Sequence, residues 1–75
     1  MNFDKELDAS GLSCPMPVLK SKKALDKMVS GQVLRVISTD TNSVKDIPEF
    51  TIRSGNPLLT TLHESASFVF YIQKK

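Results

Sequence analysis

The chain has 75 residues, 40% hydrophobic and 24% charged, which is the make-up of one small globular domain spanning residues 1–75. A chain this short buries only about 60% of its unfolded surface, so it has no room for a deep enclosed small-molecule pocket, and any chemistry has to sit at the surface. A net charge of +2 is too small to point to nucleic acid by itself, and one cysteine excludes an internal disulfide and a multi-cysteine zinc site; no metal or cofactor is expected.

The opening MNFDKELDAS lacks the basic stretch and apolar run of a signal peptide. The longest apolar run, Phe68 to Ile72, is far too short to cross a bilayer. These features predict a cytoplasmic protein whose thiol is kept reduced.

Lys5 to Ala9, short and partly alternating, predicts an edge strand, and Gly11 to Ser13 a turn. Pro15 to Val29 is the clearest helix. Proline is well suited to the first helical position, Pro17 is tolerated in the first turn, and Ser30-Gly31 supplies a stop. Val33 to Thr39 is apolar or β-branched except at Arg35, which predicts a central strand. Asp40 to Ser43 reads as a turn, with Ser43 and Asp46 spaced as a capping box. Val44 to Ser54 predicts a second helix with Val44, Ile47, Phe50 and Thr51 on one side; Pro48 should kink it or move its start. Gly55-Asn56 stops it. Leu58 to Glu64 and Ser67 to Gln73 predict a hairpin joined at Ser65-Ala66.

The order β-α-β-α-β-β opens with a right-handed parallel crossover and closes with antiparallel pairing. With four strands, the expected fold is an α/β two-layer sandwich: a four-stranded mixed sheet with both helices on one face. At helical spacing, Val18, Ser21, Leu25, Met28 and Val29 share the side of the first helix expected to meet the sheet. The opposite side carries Met16, Leu19, Lys20, Lys23 and Lys27. Met16 and Leu19, apolar among lysines and close to the cysteine, are a candidate docking patch.

Cys14 lies in the stretch GLSCPMP, between the first strand and first helix. Free cysteine is often a buried filler, but three features favour a working thiol. The free N–H groups and positive dipole end of the helix should favour the thiolate and lower the pKa from about 8.5. Pro15 and Pro17 hold the local backbone rigid. A β-α connection is also where α/β folds tend to place functional groups. There is no resolving cysteine, and His63, the only histidine, falls in a distant strand, so no triad is expected. A lone activated thiol suits group carriage.

The stretch LDASGLSCPMPVLKSKKAL, with Cys14-Pro15-Met16-Pro17 as a C-P-x-P motif, resembles the TusA/SirA family of small sulfur-carrier proteins. The resemblance continues through Gly31 to Leu34, through Asp40 to Pro48, and through Phe70 to Lys74, covering nearly the whole chain. It implies the β-α-β-α-β-β sandwich and a sulfur-accepting role for Cys14. It further implies loading as a persulfide by a cysteine desulfurase and relay to an acceptor protein, in the best-known branch toward 2-thiouridine in tRNA. Pro15 and Pro17 would position the persulfide. Met16, Leu19, Lys20 and Lys23 would form part of the partner surface of a monomer. Thr51 stands where many relatives carry a further cysteine, so the branch of the family is left open.

Two other readings stay open on the residues. One is a binding module without chemistry, since the expected fold resembles the RNA-binding C-terminal domain of a bacterial translation initiation factor. The chain lacks an aromatic stacking platform, which weighs against direct nucleic-acid binding. The other is a redox sensor working through the lone thiol.

Overall fold

The computed structural model describes residues 1–75 and arranges them as β1 (Lys5–Ala9), α1 (Met16–Asp26), β2 (Val33–Ser38), α2 (Ser43–Ser54), β3 (Leu58–Glu64) and β4 (Ser67–Gln73). The sheet order is β1-β2-β4-β3; β1 runs parallel to β2, and the other two pairings are antiparallel. This is the expected four-stranded mixed sheet.

Alternation along β2 and β4 decides which side the helices cover. In register, Leu34 faces Ile72 and Val36 faces Phe70, and all four are fully buried. Leu25 and Met28 from the first helical segment join them, as do Ile47 and Phe50 from α2, in one apolar cluster. Both helices therefore lie on the same face, and the protein has one core. A slip of one residue in either strand would turn this whole set toward water, so the register is strongly specified.

The other face of the sheet has its own local order. Arg35 lies beside the rings of Phe3 and Tyr71, which are themselves neighbours at 6.4 Å, with its guanidinium carbon 5.6 and 5.9 Å from the two centroids. It donates to the Tyr71 hydroxyl at 3.1 Å and pairs with Glu6 on β1. The pairing and the phenol hydrogen bond both favour the charged form, so the guanidinium stays protonated. The N-terminal segment is thus folded back over the middle of the sheet.

Several boundaries differ from those read in the sequence. Met16 N–H donates to Ser13 C=O at 2.9 Å, so Pro15 belongs to a turn, and α1 starts one residue later, with Pro17 second in the helix. At the other end, Lys27 and Met28 donate to Ala24 and Leu25, three residues back. That tightening ends α1 at Asp26 instead of Val29. Met28 still reaches the core, but Val29 is turned out to solvent at 65% exposure. β2 ends at Ser38, and Thr39 serves the loop beyond it.

In α2, Ser43 takes the buried place expected of Val44, because the packed side runs Ser43, Ile47, Phe50 and Thr51 at steps of three and four. The Ser43 hydroxyl is bonded to that of Ser38 at 2.7 Å, buried under the β2–α2 junction, so the expected Ser43–Asp46 capping box does not form. Pro48 does not move the start of α2, which lies five residues earlier. Gly55 closes the helix with φ 79°, a left-handed turn that favours glycine.

Core and surface positions should separate cleanly in urea unfolding. Leu25→Ala, which empties a fully buried site, should cost about 2–5 kcal/mol. Ile52→Ala, at a position 81% exposed, should stay within about 0.5 kcal/mol of the parent.

Candidate functional site

Because β1 and β2 are parallel, both strands end at the same edge of the sheet, and the loops leading into α1 and α2 lie side by side. This edge is where α/β sheets gather functional groups. Cys14 is in the first loop. The turn before it is set by Leu12 N–H donating to Ala9 C=O and by Gly11, whose φ of 80° disfavours any side chain. The Cys14–Pro15 peptide is cis.

Two hydrogen bonds tie this loop to the end of β2. Gly11 N–H donates to the Thr39 hydroxyl at 2.8 Å, and Cys14 N–H donates to Asp40 Oδ2 at 2.7 Å. The other Asp40 oxygen accepts from Asn42 N–H at 3.1 Å, and Asp40 N–H donates to Ser38 Oγ at 3.2 Å. One carboxylate therefore fixes both loops.

The Cys14 thiol is exposed. It opens onto a shallow pocket of about 190 Å³ lined by Cys14, Pro15, Val18, Asp46, Glu49 and Arg53. The electrostatics differ from the sequence expectation. The Asp46 carboxylate, which lines the same pocket, pushes the thiol up, and desolvation and the negative charge of Asp40 act the same way. The helix end does not prevail for two reasons. α1 begins only at Met16, and the Cys14 N–H itself is held by Asp40. The resting group is a neutral thiol, and it becomes a nucleophile only on losing its proton.

A second hollow of about 340 Å³ adjoins the first between the helices, lined by Val18, Leu19, Lys22, Phe50, Arg53 and Ser54. Val18 and Arg53 belong to both. A third, at the far end of α2, is lined by Pro48, Thr51, Ile52, Gly55, Asn56, Pro57 and Leu58 and offers no titratable or nucleophilic group.

Of the residues singled out in the sequence, Cys14 and Pro15 lie together in the pocket, while Pro17 is buried in α1. Met16, Leu19, Lys20 and Lys23 are exposed along α1, and only Leu19 lines a hollow. Thr51 is buried, its hydroxyl donating to Pro48 C=O at 2.7 Å. His63 stands edge-on to Phe68, 5.2 Å between centroids, on the edge strand opposite β1, and does not line the pocket at Cys14. The sequence reading missed Asp40, Asp46, Glu49 and Arg53 as neighbours of Cys14. The signal was present: a parallel β-α-β unit sets its two β-α loops side by side, which puts Asp40 next to the cysteine.

Replacing Asp40 with alanine should therefore release the Cys14 amide. Hydrogen exchange at that amide, followed by NMR, should speed up markedly in Asp40→Ala and less in Asp40→Asn, which keeps an acceptor oxygen.

Comparison with known proteins agrees with this geometry. The family model described as "Sulfurtransferase TusA" matches residues 5–74. The sulfur carrier protein TusA of Allochromatium vinosum is 53% identical over 73 residues, covering 97% of this chain and 96% of that protein. A putative sulfur carrier protein of Bacillus subtilis, YrkI, is 42% identical over 74 residues, covering 99% of each. Among solved structures, a SirA-like protein from Desulfitobacterium hafniense superposes with a TM-score of 0.81 at 25% identity, covering 93% of this chain and 96% of that one.

Proposed function

The chain belongs to the TusA sulfurtransferase family, and on that premise we propose that it relays sulfur by carrying it as a persulfide on Cys14. The observation that carries this reading is the placement of its sole thiol: exposed, on a loop tied to the sheet edge, at the mouth of an open pocket. Relay needs a donor and an acceptor protein, and an exposed thiol is reachable by both in turn. We assign the donor role to a cysteine desulfurase, the setting to the cytoplasm, the working form to a monomer and the downstream product to 2-thiouridine in tRNA.

In the loading step, Cys14 loses its proton and its thiolate attacks the outer sulfur of the donor's persulfide. The new Sγ–S bond forms as the donor's S–S bond breaks, and the electron pair leaves with the donor thiolate. Unloading repeats this exchange with an acceptor thiolate as nucleophile and Cys14 as leaving group. No net oxidation occurs in either transfer. Pro15, in the turn just before α1, and Pro17, in its first turn, keep the sulfur at a fixed corner. Partner docking falls to Met16, Leu19, Lys20 and Lys23, and Leu19 also borders the hollow between the helices.

Incubation with a cysteine desulfurase and free cysteine should add the mass of one sulfur atom to the intact protein, and the addition should vanish in Cys14→Ser. No gain, or a gain that survives the substitution, sinks this assignment. A steeply salt-dependent affinity for RNA that ignores Cys14→Ser would favour the binding-module reading instead. Leu19→Asp should slow loading by the desulfurase without changing the final one-sulfur level, because it disturbs docking and leaves the thiol intact.

A further inference from the structure

The pocket at Cys14 holds charges of both signs, and their order along the chain is directional. Asp40 lies just outside it on the β2–α2 loop, held by the amides of Cys14 and Asn42. Asp46, Glu49 and Arg53 reach it from one side of α2. Ser10 to Ser13 and the first turn of α1, Met16 to Leu19, bring no charged side chain. Asp46 shares the pocket with the thiol and is the main group that keeps it protonated. Arg53 lies about 10 Å further along the helix rise, and its long side chain lines the same pocket. It is the pocket's only cation and enters neither of the two ion pairs in the protein.

We propose that this pocket holds sulfur in two positions: on the empty carrier the Cys14 thiol lies on the Asp46 side of the pocket, and on the loaded carrier the outer persulfide sulfur faces the Arg53 guanidinium. The inference rests on the assignment of Cys14 as the carrier thiol. Its physical basis is a difference between the two sulfur species. A thiol beside a carboxylate keeps its proton, which makes it a slow nucleophile toward oxidants and stray disulfides. A persulfide is the stronger acid, and its outer atom stands about 2 Å beyond Sγ. Its anion is repelled by the carboxylates of Asp46, Glu49 and Asp40 and attracted only by Arg53, so it turns toward that end of the pocket. The same pocket therefore quiets the empty carrier and steadies the loaded one. Arg53 touches the carried sulfur, and Asp46 touches the thiol proton.

The test uses two readouts that need no partner protein. For the empty carrier, alkylation of Cys14 by iodoacetamide is followed against pH. Asp46→Asn removes both the carboxylate charge and its pull on the proton, so the profile should move to lower pH and alkylation at neutral pH should rise severalfold. Thiolate fraction grows faster than nucleophilicity falls, because the Brønsted coefficient is only about 0.4–0.5. Arg53→Gln should leave that profile nearly in place. For the loaded carrier, the persulfide is made by treating an aryl mixed disulfide of Cys14 with sulfide, and its ionisation is followed by ultraviolet absorbance. Arg53→Gln should move this titration to higher pH, and Arg53→Lys should restore it.

An unmoved alkylation profile in Asp46→Asn, or an unmoved persulfide titration in Arg53→Gln, overturns the proposal. Circular dichroism on each variant confirms that the fold is kept. Failure of desulfurase loading would count against the carrier assignment while leaving both titrations readable, so the two failures are distinguishable.

Discussion

The parallel pairing of β1 with β2 is the constraint from which the site follows. It sets Leu7 beside Val36 and Ala9 beside Ser38, and so brings two loops distant in sequence to one sheet edge. Asp40 completes the arrangement. Its two oxygens accept from backbone amides on different loops, Cys14 on one and Asn42 on the other. Charged acceptors make the stronger hydrogen bonds, and this one holds two β-α connections in a fixed relation. The position of the thiol is therefore a property of the sheet, transmitted through one carboxylate, more than of the helix that follows it.

The two faces of the sheet divide the work. The covered face carries the apolar cluster that makes the fold, built from β2, β4 and both helices. The uncovered face is kept in order by Arg35, packed beside the neighbouring rings of Phe3 and Tyr71 and paired with Glu6 on the adjacent strand. At the active edge the helices contribute differently. α1 offers an uncharged first turn and an exposed outer face with Leu19 and lysines, while α2 supplies the acidic and basic groups that line the pocket at Cys14. A small core is enough here because the chemistry needs no enclosure.

Much of the fold was legible because its signals are local. The β-branched and apolar run at Val33 to Ile37, the glycine at 55 and the closing apolar run from Phe68 each specify their element without distant help. The ends of α1 were misread for a local reason, turns closed three residues back, and the misreadings around the site for a tertiary one. Ser43 looked like a cap residue, but its hydroxyl is taken by Ser38 beneath the junction. Val44 looked like core, but a one-residue difference in helix phase turned it outward. The thiol looked set for ionisation, since a helix start was visible and the carboxylates approaching from another loop were not. Cys14 itself was legible from its proline frame; Asp46 and Arg53 were not, because nothing near them in sequence refers to the cysteine.

The solitary thiol at this edge also fixes a stoichiometry. On the proposed assignment of Cys14 as the carrier thiol, and with no second cysteine in the chain, a molecule holds one sulfur or none, and delivery must be complete before reloading. Donor and acceptor both need the same exposed atom, so they visit in alternation and exclude one another. Throughput in such a relay scales with the number of carrier molecules and the pace of their round trips. A donor in large excess occupies the carrier and throttles its own pathway, a behaviour that arises from having a single seat.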